Sequence, residues 1–290
     1  MRLLTFQHQQ ESKIGIVVTV DNRDMVLDLN SAYPARFPNL KALIGVWEGH
    51  RVQIEKLISE PQKENLYEFS DIQLDAVITN PEKIICVGLN YRDHAIETNT
   101  PIPKSPIIFS KFNNVLIGHN EAIILTEASN QVDYEAELAV IIGRPAKNVI
   151  ASEAYRYIAG YSIFNDVSAR DLQMKTSQWT LGKCLDTFGP LGPWMVTADE
   201  IEDPQNLDIS LSIDGQLLQS SNTREMIFTI SVLIEELSKV MTLMPGDIIA
   251  TGTPAGVGFT RNPARYLQAG DRVKIIIEKI GTLENPVIYL

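Results

Sequence analysis

The chain is poor in the residues that build several common kinds of site. Its 290 residues include two cysteines, Cys86 and Cys184, and four histidines. Two cysteines make no disulfide framework and cannot alone hold a structural zinc. Cys86, inside the apolar "KIICVG", reads as core. No apolar run reaches the length of a membrane span. The opening "MRLLTFQHQQESK" lacks the apolar stretch of a secretory signal. No membrane association is expected, and the expected location is cytoplasmic. Positive charge is scarce too: 25 Lys and Arg against 36 Asp and Glu give a formal net charge of −11. Such a chain suits neither nucleic acid nor an anionic bilayer. The one Gly-rich stretch, "TGTPAGVG", has no following Gly-Lys-Ser/Thr and is not a Walker loop. There is no internal repeat and no low-complexity segment.

Hydrophobic residues make up 44 % of the chain, enough to bury a sizeable core in one large domain or a large and a small one. The text changes along its length. "IGIVVTV" (14–20) and "MVLDL" (25–29) read as strands joined through the turn "DNRD". "NLKALIGVWEGHRVQIEKLIS" (39–59) reads as an amphipathic helix or helix pair, with Leu43, Val46, Trp47, Ile54 and Leu57 at roughly helical spacing and Gly49 weakening the middle. The polar "EPQKENLYEFSD" (60–71) reads as a linker. From about residue 80, short apolar strands dominate. Asp214-Gly215 marks a hairpin. Thr229 reads as the N-cap of a helix with an Ile230, Leu233, Ile234, Leu237 stripe. The expected organisation is a small N-terminal α/β domain, 1–70, before a β-rich α+β domain, 71–290.

Carboxylates mark one strand mouth. In "QVDYEAELAVIIG" (131–143) the run from Leu138 to Ile142 reads as a buried strand. Alternation puts Asp133, Glu135 and Glu137 on one face. "AGYSIFNDVSARD" (159–171) is a second buried strand, ending at Asp166. Carboxylates from two strand ends can share one divalent cation, and oxygen-only ligands favour Mg²⁺, Mn²⁺ or Ca²⁺ over zinc. Taken alone, the acids could equally line a solvated strand edge.

His94 follows the strand "KIICVG" in the polar, then Pro-rich "LNYRDHAIETNTPIPKSP". Glu97 lies three residues on, so one helical turn sets them side by side. A carboxylate beside an imidazole raises its basicity and orients it, as a general base requires. A surface pair without a role has the same spacing.

Taken together, "VGLNYRDHAIE", "PIIFSKF", "DYEAELAVIIG", "GYSIFNDVSARDLQ", "WTLGKCLDTFGPLGP", "SSNT" and "PGDIIATGTPAGVG" resemble the fumarylacetoacetate hydrolase superfamily from about Lys83 onward, and its shorter members most. The resemblance implies a mixed β-roll, usually a homodimer. It implies metal ligation by Glu135, Glu137 and Asp166, with Mg²⁺ or Mn²⁺ bound, sometimes Ca²⁺. His94 and Glu97 match the acid–base pair of a lid, and Lys183 a lysine that reaches the metal site. Arg170 and Gln173 match residues near the substrate oxygens. Gly252 and Thr253 lie on a loop at the substrate carboxylate. Asp133 receives no ligand role and is expected at the rim. The name-giving hydrolases have a further aspartate ligand shortly before their histidine; here the nearest candidate is the neutral Asn90, so fumarylacetoacetate itself is not the expected substrate.

Substrates of such enzymes are mostly 2-oxo acids with a second carbonyl two carbons away. A cation and a nearby lysine stabilise the enolate left by C–C cleavage, and His94 with Glu97 would activate the water. The first expectation is therefore an Mg²⁺-dependent hydrolase of acylpyruvate-like 2-oxo acids. Oxaloacetate decarboxylation and tautomerisation use the same enolate and are the alternatives. A non-catalytic relative acting by binding would have lost these residues.

Overall fold

The computed structural model describes residues 1–33 and 37–290. A 12-stranded sheet forms the frame. At its centre lies the strand Ala136–Ile142, every residue of which is buried. Its alternation feeds two cores. Leu138, Val140 and Ile142 pack with Leu211, Leu233, Ile275 and Leu283 on one side. Ala139 and Ile141 pack with Leu40, Leu43, Ile54 and Cys86 on the other. A strand buried on both faces reads as a continuous apolar run, which is why 138–142 carries no polar residue.

The central strand pairs antiparallel with Ile158–Asn165 on one side and with Ile248–Ala250 on the other. Ile248–Ala250 in turn runs parallel to Ile84–Gly88, and Ile107–Lys111 closes that edge. A five-stranded sheet covers one face, ordered Gln216–Asn222, Asp208–Ile213, Arg272–Ile277, Gly281–Tyr289, Ile123–Leu125. Its hairpin turns at Asp214 and Gly215, both at positive φ, the backbone a two-residue turn of this kind needs. The helix Ile230–Val240 buries the expected stripe, and the Thr229 hydroxyl accepts from the Val232 amide at its start.

The N-terminal segment contains the expected hairpin, Glu11–Val20 with Arg23–Asp28, and two helices, Leu40–Ile44 and Trp47–Ser59. The helix break falls at Gly45 and Val46, not at Gly49, which lies inside the second helix. Val46 faces solvent rather than the core. A further strand, Arg2–His8, pairs with Glu11–Val20 and touches Gly189–Thr197 through Arg2 and Leu3. The main sheet thus runs on into the N-terminal segment. The stretch read as a linker is stitched in as well: Leu66–Tyr67 pairs with Val26 and Leu27.

Candidate active site

Three strand ends and two short helices converge beside the central strand. Glu135 precedes it and Glu137 lies within it; Asp166 follows the neighbouring strand. One oxygen from each of Glu135, Glu137 and Asp166 lies within 4.8 Å of the others, and all three residues are buried. Oxygens at about 2.0–2.6 Å from one shared ion lie no more than about 5 Å apart, so the cluster has the dimensions of a divalent-cation site with hard, all-oxygen donors.

Cations surround this cluster. Lys183 ends the helix Thr180–Lys183 and donates to Glu135 Oε2 at 2.9 Å and Asp166 Oδ2 at 2.7 Å. Lys111, at the end of the strand Ile107–Lys111, donates to Asp166 Oδ1 at 2.5 Å and to the Val167 carbonyl. Arg170 donates through Nε to Asp133 and through Nη1 to Gln173. Its Nη2 is 2.7 Å from Glu135 Oε1, yet angled too poorly for a hydrogen bond. Four carboxylates, with Asp133 included, therefore face three cations. With all four carboxylates ionised the residual charge would be negative, and a divalent ion would turn it positive.

The carboxylates respond unequally. Burial works against the charge on Glu135, but Lys183 and Arg170 outweigh it and hold the carboxyl at about 2. For Glu137, burial and then the neighbouring Asp166 and Glu135 charges push the carboxyl well above its ordinary value; the Gly252 amide, 2.9 Å away, is too little to offset them. Glu137 is the member of the cluster that most lacks a positive partner.

The fit to a cation has a second support. Among the described residues, three buried side-chain polar atoms lack a hydrogen-bond partner: Tyr91 Oη, Asn165 Nδ2 and Arg170 Nη2. All three border this cluster: Asn165 precedes Asp166, Arg170 faces Glu135, and the Glu137 and Asp93 charges, after burial, raise the Tyr91 phenol. Buried polar groups seldom go unpaired. Arg170 Nη2 has the Glu135 charge beside it, which leaves Tyr91 Oη and Asn165 Nδ2 as the two atoms open to a polar partner from outside the chain.

Near the cluster lies the helix Arg92–Glu97, whose His94 is close enough to act on Glu135. His94 Nδ1 is 3.1 Å from Glu97 Oε2. The other Glu97 oxygen accepts from the Gly256 amide and the Thr260 hydroxyl. Burial opposes charge on Glu97, but His94, Thr260 and Gly256 together hold its carboxyl below the usual value. An ionised Glu97 can only accept, so Nδ1 carries a proton, and in the neutral ring Nε2 holds the lone pair. Asp93 accepts from Ser221, and Arg92 donates to the Met226 carbonyl, so the helix is tied down along its length. The site is closed: Glu135, Glu137, Asp166 and Lys183 are at most 6 % exposed.

The structure thus brings Glu135, Glu137, Asp166, Lys183, Arg170 and Gln173 into one cluster, with His94 close enough to help lower Glu135. Gly252 contributes a backbone amide. Thr253 is buried beside it, its hydroxyl accepting from Gln219, which also accepts from the Ala136 amide. Asp133 is a correction: it is fully buried, not at the rim. The strand breaks at Tyr134 and Glu135, so Asp133 pairs through Val132–Asp133 with Ser168–Ala169 and turns to Arg170 and the Gly258 and Phe259 amides. Asp171 does not pair with Arg170; it accepts from Ser129. Asn90 is spent on packing, donating to the Phe228 and Thr251 carbonyls and accepting from the Phe228 amide. Sequence reasoning did not single out Lys111, Gln219 or Tyr91. For Lys111 the signal was present: a lysine closing an apolar strand has a buried end to neutralise.

A family model described as the C-terminal part of fumarylacetoacetate (FAA) hydrolase matches residues 83–288. Oxaloacetate tautomerase fahd2, mitochondrial, from Xenopus laevis is 43 % identical over 290 residues, covering 99 % of this chain and 90 % of that one. The crystal structure of a putative HpcE protein from Mycobacterium smegmatis superposes with a TM-score of 0.87 at 35 % identity, covering 100 % and 99 % of the two chains. Maleylpyruvate hydrolase from Sphingobium sp. SYK-6, in complex with manganese (II) ion and pyruvate, gives 0.83 at 31 %, with coverage of 100 % and 99 %. Similarity of this extent, over most of the sequence and through the whole fold, has one reading: the chain is an enzyme of the fumarylacetoacetate hydrolase family, with that family's strand-rich α+β fold.

Proposed function

We propose that the protein catalyses the keto–enol tautomerisation of oxaloacetate, with a divalent cation, Mg²⁺ or Mn²⁺, held by Glu135, Glu137 and Asp166. One observation carries the reading: a buried imidazole, with its proton fixed on Nδ1 by Glu97, stands in a closed site among carboxylates and lysines. Tautomerisation needs a base and charge stabilisation, and it needs no water. The near-full-length similarity to the Xenopus laevis tautomerase supports the same choice over C–C hydrolysis.

The bound cation would act as a Lewis acid, polarising the substrate's 2-oxo group. His94 Nε2 takes a proton from C3. The C–H electron pair becomes the C2–C3 double bond, and the carbonyl electrons move onto oxygen. Lys183 places a positive charge beside that oxygen, and the imidazolium returns the proton to it. Glu97 keeps the ring oriented and stabilises its charged form. Arg170, with Gln173 on its Nη1, and the Gly252–Thr253 loop would bind substrate carboxylate oxygens. A site made net positive by its cation suits a dicarboxylate.

The test follows enol loss from oxaloacetate with Mg²⁺, with EDTA, and with His94→Ala. Acceleration that requires both Mg²⁺ and His94 supports the proposal. Release of pyruvate at the same rate as enol loss would favour the decarboxylase reading. Rapid cleavage of acylpyruvates, with oxaloacetate untouched, would favour the hydrolase; the manganese and pyruvate in the related hydrolase are the observation behind that second reading.

A further inference from the structure

A cleft of about 640 Å³ has no lining residue in common with the carboxylate cluster or the histidine helix. Small-molecule pockets commonly measure about 300–1,000 Å³. Phe69, Ile72 and Leu74 reach the cleft from the stretch that follows the N-terminal helices, Pro193 and Trp194 from the strand Gly189–Thr197, and Thr282 from the five-stranded sheet. The Trp194 ring is pinned. Its Nε1 donates to the Ile280 carbonyl, and it lies so close to the bare Gly281 backbone that a Cβ there would be 3.1 Å from Cζ2. Phe69 and Trp194, with ring centres 6.2 Å apart and planes tilted by 55°, are both only half-buried. Aromatic faces held in place yet left partly open offer packing surface to a further ring.

One polar group selects the occupant. His119 lines the cleft, and its Nδ1 accepts from the Glu284 amide. In the neutral ring the proton is therefore on Nε2, which has no hydrogen-bond partner among the described residues. Burial holds the imidazole below its ordinary pKa and so favours this neutral donor. No Lys or Arg lines the cleft, and its one acid, Asp24, already accepts from Arg2 and Thr19. Neither an anion nor a cation finds a free counter-charge there. We propose that the cleft binds a neutral aromatic molecule whose carbonyl oxygen accepts from His119 Nε2 while its ring packs against Trp194 and Phe69. The inference does not depend on the proposed reaction.

A saturation-transfer NMR titration with 2-acetylnaphthalene tests it, beside 2-ethylnaphthalene, which lacks the carbonyl, and 2-naphthoate, which is charged. The wild type should bind the ketone about 3–10-fold more tightly than either, the usual worth of one hydrogen bond. Thr282→Trp, which fills the cleft, should abolish binding, and His119→Phe should bind the ketone and the ethyl compound alike. Glu137→Gln, altered in the carboxylate cluster, should bind the ketone as the wild type does. Histidine NMR on the unaltered protein guards against misfolded variants: the ketone should shift the His119 Nε2 proton and leave His8, His50 and His94 unmoved. No binding by the wild type, undiminished binding by Thr282→Trp, a preference that survives His119→Phe, or an unmoved His119 signal would overturn the inference. Weakened binding in Glu137→Gln would overturn it by placing the ligand in the active site, and naphthoate bound as tightly as the ketone would overturn the neutral class of ligand.

Discussion

Glu137 and Glu135 occupy one cluster but respond to protons in opposite directions. In the metal-free protein, burial and its acidic neighbours raise Glu137. Its folded value exceeds its unfolded value near 4.5, so its contribution to stability is present below that pH and is lost as pH rises toward the folded value. Glu135, at about 2, contributes stability above its unfolded value that is lost as pH falls from about 4.5 to about 2. A cation must displace the Glu137 proton. Apparent Mg²⁺ affinity should therefore rise with pH, and calorimetry in two buffers of different ionisation enthalpy should detect the released proton. Glu137→Gln should fold, bind Mg²⁺ far more weakly and release no such proton. His94→Ala should retain Mg²⁺ affinity while losing about 10²–10⁴-fold in turnover, the usual worth of a general base. Asp133→Ala should cost about 3–5 kcal/mol in urea unfolding, because Arg170 stays buried with one partner fewer.

The elements explain why these residues meet. The break at Tyr134 and Glu135 sends Asp133 toward the Gly258 amide, while Glu137 stays on the sheet. Gly252 must take φ +98°, and a Cβ there would lie 2.7 Å from the Asn90 Cβ and 3.0 Å from the Val87 carbonyl oxygen. Gly252→Ala should shift the amide that serves Glu137, weakening Mg²⁺ binding and lowering the melting temperature together. Thr229→Ala should cost about 0.5–2 kcal/mol through the lost helix cap, with activity unchanged. Much of this was legible beforehand. The buried strand, the hairpin at Asp214-Gly215 and the Thr229 helix follow from local pattern; for Glu135, Glu137 and Asp166 the pattern allowed a shared site, and only the family resemblance singled it out. Asp133 was misplaced because period-2 alternation assumes an unbroken strand, and a single strand does not show where its partner ends. Lys111 and Gln219 were missed because their roles depend on pairings 55 and 83 residues away in sequence.

For the whole molecule, the sheet that runs from the N-terminal hairpin to Ile107–Lys111 holds the cluster beside its central strand, with the histidine helix near it. The Glu97 links to Gly256 and Thr260 are the fastenings of that helix nearest His94. The central claim is that one buried base and one cation-dressed carboxylate cluster move a single proton on a small oxo diacid. The most direct measurement is solvent deuterium incorporation at C3 of oxaloacetate, followed by NMR with Mg²⁺ present, for the wild type and His94→Ala. The account predicts rapid exchange by the wild type ahead of any pyruvate formation, lost in His94→Ala and on adding EDTA. Exchange that His94→Ala leaves at the wild-type rate would contradict it.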